Sequence, residues 1–213
     1  MSDFISGAIA GFAQCLIGHP LDTAKVMRQN NKNFKGMKFL DFYKGVKFPL
    51  ISSAIFNSVV FPTYERSIQY TNNSAISGFL AGFCVSPAVF IFDVGKIKRQ
   101  TNQKFVFSDF YRTRGLGITF TRETCAMTIY FSTYKYFNET HNFSPFFAGG
   151  CSGLLNWTFT YPLDTVRSRQ ISKNLTFAEA FAMKKFWVGY KYCAIRAIIV
   201  NAVVFQVYNI LRN

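Results

Sequence analysis

One pattern of charges recurs along the chain at a fixed interval of 71 residues. In each copy an aspartate is followed three residues later by a lysine or an arginine. The three pairs are Asp22 with Lys25, Asp93 with Lys96, and Asp164 with Arg167. Three intervals of this size account for the full length of 213 residues. Such a period indicates a chain built from three copies of one supersecondary unit. We therefore predict three repeats, residues 1–71, 72–142 and 143–213, within one domain.

Each repeat contains two apolar segments. They cover roughly residues 4–21, 48–64, 75–92, 117–134, 144–163 and 194–211. Each segment is near the ~20 residues that a helix needs to cross a bilayer. Helices are the expected form, since lipid cannot satisfy open backbone groups. The sequence therefore predicts an all-α membrane protein, with six transmembrane helices in three pseudo-symmetric repeats around a central cavity.

Glycines also recur at equivalent positions in the three repeats. The first segment of each repeat carries a GxxxG pair, and these pairs are Gly7 with Gly11, Gly78 with Gly82, and Gly149 with Gly153. Small residues four apart allow helices to approach closely in lipid. The second segment follows a glycine that precedes a tyrosine by 19 residues, namely Gly45 before Tyr64, Gly115 before Tyr134, and Gly189 before Tyr208. The glycines thus predict close helix packing in all three repeats.

The connectors within the repeats are strongly basic. Of the 24 Lys and Arg residues, 19 lie at positions 25–47, 96–114 and 167–191. Loops on the inner side of a membrane carry an excess of basic residues. All three connectors should therefore lie on one side, with both termini on the opposite side. This distribution accounts for the net charge of +14 without nucleic-acid binding. Amphipathic stretches such as Phe39–Tyr43 should lie along the membrane surface as short helices.

Several other classes of function find little support in the sequence. The five cysteines have no paired spacing and fall in apolar segments, where a thiol acts as a small hydrophobe. His19 and His141 are far apart, with no further His or Cys beside them that would complete a zinc site. The sequence also contains no nucleophile–base pair and no phosphate-cradling loop. We expect no enzymatic activity, metal or cofactor.

The charge motifs resemble the signature of the mitochondrial carrier family. The closest stretches are GHPLDTAKV from Gly18 to Val26 and YPLDTVR from Tyr161 to Arg167. The resemblance extends over the whole chain, which is identified as a shortened member with trimmed connectors. It implies a monomeric protein of the inner mitochondrial membrane that transports a small molecule by alternating access. An anionic lipid such as cardiolipin is an expected partner besides the bilayer.

The resemblance also implies roles for the repeated charges. Asp22 should pair with Lys96, Asp93 with Arg167, and Asp164 with Lys25, and this ring of pairs would close the connector side. Gln29 and Gln100 fit the family's braces beneath the ring, whereas Gln170 comes one residue too early. Pro20 and Pro162 should kink their helices, and Pro87 should displace the kink of the second repeat. On the opposite side only Glu65 and Arg212 match the family pattern, which predicts a weaker gate there.

Charges within the second helices mark a candidate binding site. Seven residues after the three glycines come Ser52, Arg122 and Arg196. Ser53 and Glu123 follow two of them directly, and Asn57, five residues after Ser52, is a further candidate. A charged side chain facing lipid at mid-membrane costs about 2.5–3.5 kcal/mol, so these charges should face the cavity. The alternative is an internal pair of Arg122 with Glu123, which is disfavoured because adjacent helical residues point about 100° apart.

The substrate class remains open between two alternatives. The charges Arg122, Glu123 and Arg196 resemble those of carriers for amino acids or carnitine, in which an acid meets an ammonium and arginine binds a carboxylate. Two cavity arginines could equally bind the phosphates of a nucleotide, with Phe56, Tyr130 and Phe131 available for stacking. A different class of function is a carrier-like membrane adaptor or receptor that no longer transports. The retained charges argue against it.

Overall fold

The computed structural model describes residues 2–33, 36–106, 108–197 and 199, and their side chains from residue 15 onward except at 145 and 146. These residues form helices and contain no β-strand. The helices are α1 (Ser2–Gln29), α2 (Lys47–Thr71), α3 (Ser74–Gln100), α4 (Asp109–Arg112), α5 (Leu116–Lys135), α6 (Pro145–Lys173) and α7 (Phe177–Ala182). A further helical segment covers 190–197. The prediction of an all-helical chain is confirmed.

The first helix of each repeat is longer than its apolar segment. α1 has 28 residues, α3 has 27 and α6 has 29. Each continues through its proline and past the charge motif into the basic connector. The bend to the next repeat after α2 is well defined, because Asn72 adopts a left-handed conformation and the Asn73 side chain accepts hydrogen bonds from the N–H groups of Ala75 and Ile76. The charge motif therefore lies within helices, one to two turns before they end.

α3 lies at the centre of the described bundle, between α2 and α5, and α5 packs in turn against α6. Their shared core contains small and branched side chains such as Val60, Ala81, Val85 and Ala126. Many large apolar side chains point outward, as expected for helices that face lipid. They include Phe61, Phe79, Phe83, Leu154 and Phe159. Within the described residues, Phe39–Thr71 and Ser74–Gln100 are long and apolar enough to cross a membrane.

The GxxxG motif of the second repeat lies at a close contact between two helices. A Cβ atom added at Gly82 would lie 2.5 Å from the carbonyl oxygen of Glu123, and one at Gly78 would lie 2.6 Å from that of Met127. These two glycines therefore allow the backbones of α3 and α5 to touch. Among the described residues, a Cβ at Gly153 would meet nothing within 4 Å. Most of the second helix of the third repeat and the side chains around Gly7 and Gly11 lie outside the described residues, so close packing in the first and third repeats stays a prediction.

The glycines that precede the second helices have backbone conformations that favour glycine. Their φ angles are +85° at Gly45, +126° at Gly115 and +89° at Gly189. Each also lies against the first helix of the next repeat, and the glycine of the third repeat lies against the first helix of the first repeat. An added Cβ would lie 3.2 Å from the Lys96 carbonyl at Gly45 and 3.1 Å from the Lys25 carbonyl at Gly189. The repeated glycines thus make equivalent contacts between successive repeats.

Side chains from the first helices fix the connectors beside these glycines. His19 Nε2 lies 3.1 Å from the carbonyl oxygen of Lys44, and the Tyr161 hydroxyl donates to the carbonyl oxygen of Val188 over 3.1 Å. His19 and Tyr161 are two repeat lengths apart, and each reaches the residue just before a helix-starting glycine. Thr23 and Thr165, also two repeat lengths apart, donate to the carbonyls of Phe42 and Phe186 over 2.7 and 2.6 Å.

Short helices occur in all three connectors, as the amphipathic stretches predicted. A 3₁₀ helix covers Phe39–Tyr43, and α4 and α7 occupy the other two connectors. The first-turn acids support two of these short helices. The Lys44 ammonium and the Lys38 backbone N–H hold the pKa of Asp41 below its ordinary value. The backbone N–H and hydroxyl of Thr176 lower the pKa of Glu179 in a capping box.

Candidate functional site

The structure brings together all three charge pairs that the resemblance implies. Their nitrogen–oxygen distances are 3.0 Å for Lys96–Asp22, 3.0 Å for Arg167–Asp93 and 2.7 Å for Lys25–Asp164. Each pair joins the first helix of one repeat to that of another, so α1, α3 and α6 are linked in a closed ring of ion pairs. We call these six residues the charge ring. The ring lies near the connectors, where the three helices converge.

Arg167 has more acidic partners than the two lysines of the charge ring. Its Nη1 lies 3.0 Å from Asp93 and 2.9 Å from Glu123, and its Nη2 lies 2.9 Å from Asp164. A guanidinium has five N–H donors in a fixed plane, and an ammonium is a compact point charge. Arg167 therefore joins three helices, α3, α5 and α6, through one side chain.

Arg122 and Glu123 pair with each other, and the expectation that adjacent residues would not do so is wrong. Arg122 Nη1 donates to Glu123 Oε1 over 2.5 Å. The long arginine side chain has enough rotatable bonds to turn back across the helix surface. Both side chains are buried, with Glu123 only 1% exposed. They extend the charge ring instead of standing apart from it, and neither lines the cavity within the ring.

Arg196 also contacts the charge ring. Its Nε lies 2.9 Å from Asp22 Oδ1, while Lys96 occupies the other oxygen of the same carboxylate. The candidate binding charges of the second helices and the ring charges of the first helices thus form one cluster. The cluster contains four acids and five bases, namely Asp22, Asp93, Glu123, Asp164, Lys25, Lys96, Arg122, Arg167 and Arg196.

Trp157 of α6 supplies an aromatic face to this cluster. The Lys25 ammonium lies 4.3 Å from the ring centroid, and the Arg122 guanidinium carbon lies 4.8 Å from it. Both distances are within the range of favourable cation–π contacts. The sequence reasoning missed Trp157, which lies seven residues before Asp164 and so two helical turns away on the same face. That spacing was the signal that could have found it.

The two candidate braces make different contacts. Gln29 Nε2 donates to Asp164 Oδ2 over 2.9 Å, so it supports the Lys25–Asp164 pair directly. Gln100 Nε2 donates to Thr23 Oγ1 over 3.1 Å and contacts a neighbour of the ring. Gln170 donates to the Leu175 carbonyl in the connector over 3.2 Å. Gln170 follows its aspartate by six residues, whereas Gln29 and Gln100 follow theirs by seven, and its side chain therefore points away from the ring.

A small cavity of about 140 Å³ lies within the charge ring. Ring residues line it together with Val26, Gln29, Ile97, Trp157, Ser168 and Arg196. This volume is below the roughly 300–1,000 Å³ of typical ligand pockets. The ring side chains therefore fill most of the space between the helices at this level.

The predicted site residues of α2 are not brought into this cluster. The hydroxyl of Ser52 contacts the Pro49 carbonyl at 3.4 Å, and that of Ser53 donates to the Leu50 carbonyl over 3.1 Å. Ser53 and Asn57 are exposed. The structure thus groups Arg122, Glu123 and Arg196 and leaves Ser52, Ser53 and Asn57 apart.

The opposite end of the bundle has few charge contacts. Tyr64 stacks on Phe131 with ring centroids 3.7 Å apart. The ion pair found there, Lys135–Glu139, lies within one helical stretch at 3.8 Å. Among the described residues, no ion pair joins different helices at this end, while Tyr208 and Arg212 lie outside them. The described part of the chain also holds no group of three His, Cys, Asp or Glu residues suited to a metal ion.

Comparison with known proteins gives a consistent result. The family model described as mitochondrial carrier protein matches residues 138–213. Human solute carrier family 25 member 45 is 27% identical, with 79% of this chain and 78% of that protein covered. The human mitochondrial basic amino acids transporter is 26% identical over 78% of this chain and 70% of its own length. The mitochondrial arginine transporter BAC2 of Arabidopsis thaliana is 26% identical over 98% of this chain and 89% of its own length. The chain is therefore similar to mitochondrial carriers over most of its length.

Proposed function

We propose that this carrier transports an amino acid with a cationic side chain across the inner mitochondrial membrane. The observation that carries the proposal is the buried Glu123, whose Oε2 has no hydrogen-bond partner within the described residues. An unpaired carboxylate oxygen in a buried site is costly unless a ligand pairs with it. The ammonium group of an amino acid is a donor of suitable charge for this oxygen.

The neighbouring residues suit the remaining groups of such a substrate. Arg196 or Arg122 would bind the substrate carboxylate by a bidentate contact. The indole of Trp157 already has two cations near its face, so it suits the cationic end of the substrate side chain as well. Two of the relatives, a mitochondrial basic amino acids transporter and a mitochondrial arginine transporter, favour the same class.

The balance of charge argues against a nucleotide. Four acids stand beside five bases in the cluster, so the site has little excess positive charge for a polyphosphate. Burial of several phosphate charges needs a matching number of cations. An amino acid with one negative and two positive groups instead meets both signs of charge in the site.

The charge ring suits a gate on the connector side, as the family resemblance implies. The ring pairs are formed in this structure, and their side chains are mostly buried. Access from the connector side requires that these pairs separate, and substrate interactions would offset that cost. In this proposal Asp22, Lys25, Asp93, Lys96, Asp164 and Arg167 form the gate, and Gln29 braces it. Gln100 supports the gate only through Thr23.

The remaining features of the proposal follow from the three-repeat organisation. The equivalent contacts of Gly45 and Gly189 support three repeats, 1–71, 72–142 and 143–213, with six transmembrane helices around one cavity. Both termini lie opposite the basic connectors. Transport is an exchange by a monomer, and anionic lipid such as cardiolipin binds near the basic connectors.

Uptake by the purified protein in liposomes tests the proposal. We expect exchange of labelled arginine or lysine and little exchange of ADP or ATP. Arg122→Ala should lower arginine uptake at least about tenfold, because it removes a buried charged contact. Arg112→Ala removes an exposed connector arginine and serves as the matched control.

The outcome of the same assay separates the alternatives. Exchange of nucleotides without exchange of amino acids would overturn the substrate class. If the folded protein exchanged no candidate substrate, the adaptor interpretation would be favoured instead.

A further inference from the structure

A second cleft lies at the opposite end of the bundle from the connectors. It has a volume of about 360 Å³, which is within the range of typical ligand pockets. It lies between the start of α3 and the end of α5, and we call it the terminal cleft. It shares no lining residue with the cavity within the charge ring. Its lining residues are Asn72, Asn73, Ser74, Ala75, Ser132, Lys135, Tyr136, Glu139 and Thr140.

Two serine hydroxyls of this cleft have no hydrogen-bond partner among the described residues. They are Ser74 Oγ and Ser132 Oγ, and Ser74 is only 7% exposed. A serine or threonine within a helix commonly donates to the carbonyl three or four residues earlier. Thr128 and Thr133 of α5 do so over 2.7 and 2.6 Å, whereas Ser132 does not. An unpaired buried hydroxyl is costly, so the two serines indicate a ligand that accepts hydrogen bonds.

The cleft also has positive charge beside these hydroxyls. The lysine that lines it is Lys135, whose side chain is 42% exposed. The cleft lies at the N-terminus of α3, a helix of 27 residues, whose dipole places partial positive charge there. The N–H groups of Ala75 and Ile76 are bonded to the Asn73 side chain, so a ligand meets the field of the helix without those two donors. An ammonium, two hydroxyls and a helix N-terminus together suit a phosphate group.

The acid in the cleft, Glu139, determines what else the ligand must carry. Its carboxylate lies 3.8 Å from the Lys135 ammonium, further than a hydrogen bond, and its side chain is 63% exposed. An exposed pair of this kind contributes little stability, so a ligand can insert between its partners at small cost. A phosphate alone would be repelled by the carboxylate. A phosphate joined to a primary ammonium meets Lys135 with one group and Glu139 with the other.

The position of the cleft along the helices favours a lipid as the source of this group. The membrane-spanning length of α3 begins at Ser74, so the cleft lies where the hydrocarbon ends and the headgroups begin. Tyr70 near the end of α2 and Tyr136 in the cleft are 87% and 54% exposed. Exposed tyrosines at this level are typical of the membrane–water interface.

We propose that the terminal cleft binds the phosphoethanolamine headgroup of a phosphatidylethanolamine in the leaflet opposite the connectors. The phosphate accepts hydrogen bonds from Ser74, Ser132 and Lys135, and the ammonium donates to Glu139. The bound headgroup joins the start of α3 to the end of α5, at the end of the bundle where no ion pair joins different helices within the described residues. This site is separate from the substrate site and does not depend on which substrate is transported.

Titration of the purified protein in detergent with two lipids tests the site. Phosphatidylethanolamine and phosphatidylcholine with the same acyl chains are compared by native mass spectrometry and by the rise in Tm that each produces. Both lipids carry the same phosphate, but the quaternary ammonium of phosphatidylcholine has no N–H to donate to Glu139. Phosphatidylethanolamine should bind roughly fivefold or more tightly and should raise Tm further. Equal affinity for the two lipids would overturn the proposal.

Substitutions within the cleft connect this binding to the named residues. Lys135→Gln should weaken phosphatidylethanolamine binding about tenfold, and Ser74→Ala about threefold or more, since each loses a hydrogen bond to a charged group. Glu139→Gln should remove the preference for phosphatidylethanolamine over phosphatidylcholine. Lys104→Gln removes an exposed lysine of the second connector and should leave the affinity unchanged as the matched control. Thermal melts without lipid confirm that each variant is folded. Unchanged affinity in both Lys135→Gln and Ser74→Ala would refute the site.

Soluble phosphoethanolamine distinguishes the two sources of the headgroup. It should displace the lipid only at concentrations about a hundredfold higher or more, because it lacks the acyl chains that add apolar contacts with the helices. If soluble phosphoethanolamine binds as tightly as the lipid, the assignment to a membrane lipid is wrong and the cleft is a site for a soluble phosphate ester. Displacement that is lost in Lys135→Gln and kept in Lys104→Gln would support the cleft as the place of binding.

Discussion

The contact between α3 and α5 offers a sharp test, because two equivalent glycines differ in the neighbours that the described residues give them. Gly82 and Gly153 are 71 residues apart and hold the same place in the GxxxG motif. A Cβ at Gly82 would lie 2.5 Å from the Glu123 carbonyl oxygen and 2.7 Å from Thr124 Cα. A Cβ at Gly153 would meet no atom of the described residues within 4 Å. Replacement by alanine adds the same methyl group at both positions, but among the described residues only the methyl group at position 82 would meet a neighbouring backbone.

The size of the difference follows from these distances. Ordinary contacts of a Cβ lie at 3.4–4 Å, so Gly82→Ala must separate the two backbones by about 1 Å. Such overpacking costs about 1–3 kcal/mol. Both variants gain about 1 kcal/mol in helix propensity, and this gain cancels in the comparison. The free energy of unfolding should thus be about 1–3 kcal/mol lower for Gly82→Ala than for Gly153→Ala.

The measurement is thermal unfolding of the two purified variants in the same detergent, followed by arginine uptake. For a chain of this size a change of 1 kcal/mol moves Tm by about 2–4 °C, so the two variants should differ by about 2–12 °C. Uptake should fall roughly ten- to a hundredfold in Gly82→Ala, because the shift moves Glu123 itself. Equal Tm values for the two variants would refute the packing argument.

Two further predictions concern the connector and the opposite gate. Arg169 is only 1% exposed, and its guanidinium donates to the carbonyls of Gln29 and Lys184 over 3.1 and 2.7 Å, so Arg169→Met should lower the free energy of unfolding by about 2–4 kcal/mol. Thermal melts would check this, and a Tm at or above that of Arg112→Met would contradict it. The lack of interhelical ion pairs among the described residues at the terminal side should favour the state closed at the connectors. An Asn57→Cys variant should therefore react faster from the terminal side, and equal rates from both sides would contradict the bias.

The repeated charges limited the possible ring to a few pairings, because a threefold period restricts which partners are geometrically equivalent. Three acids and three bases at the same place in three repeats allow only a few cyclic pairings, and the family resemblance selects one of them. The connector helices were predictable for a related reason, since their amphipathic pattern is local. In both cases the information lies in spacing along the chain.

The details of the site depended on side-chain reach, which spacing does not give. The 100° angle between Arg122 and Glu123 applies to their Cα–Cβ directions, but an arginine side chain is long enough to cross that angle. The same length allows Arg196 to reach Asp22. Trp157 was missed because a tryptophan in an apolar helix is ordinarily a packing residue. Its role depends on the two cations that the fold brings to its face.

Within the part of the chain that the structure describes, the repeated GxxxG motif makes its close contact at Gly82 and not at Gly153. A GxxxG pair permits close approach, but the neighbouring helix must also present its backbone there. α5 does so for Gly82, and the place that it approaches is the carbonyl of Glu123. The close contact in the second repeat therefore fixes the backbone of the very residue that joins the candidate substrate site to the charge ring. The position of Glu123 depends on its surroundings in the second repeat, so threefold symmetry of sequence leads to an asymmetric site suited to an asymmetric substrate.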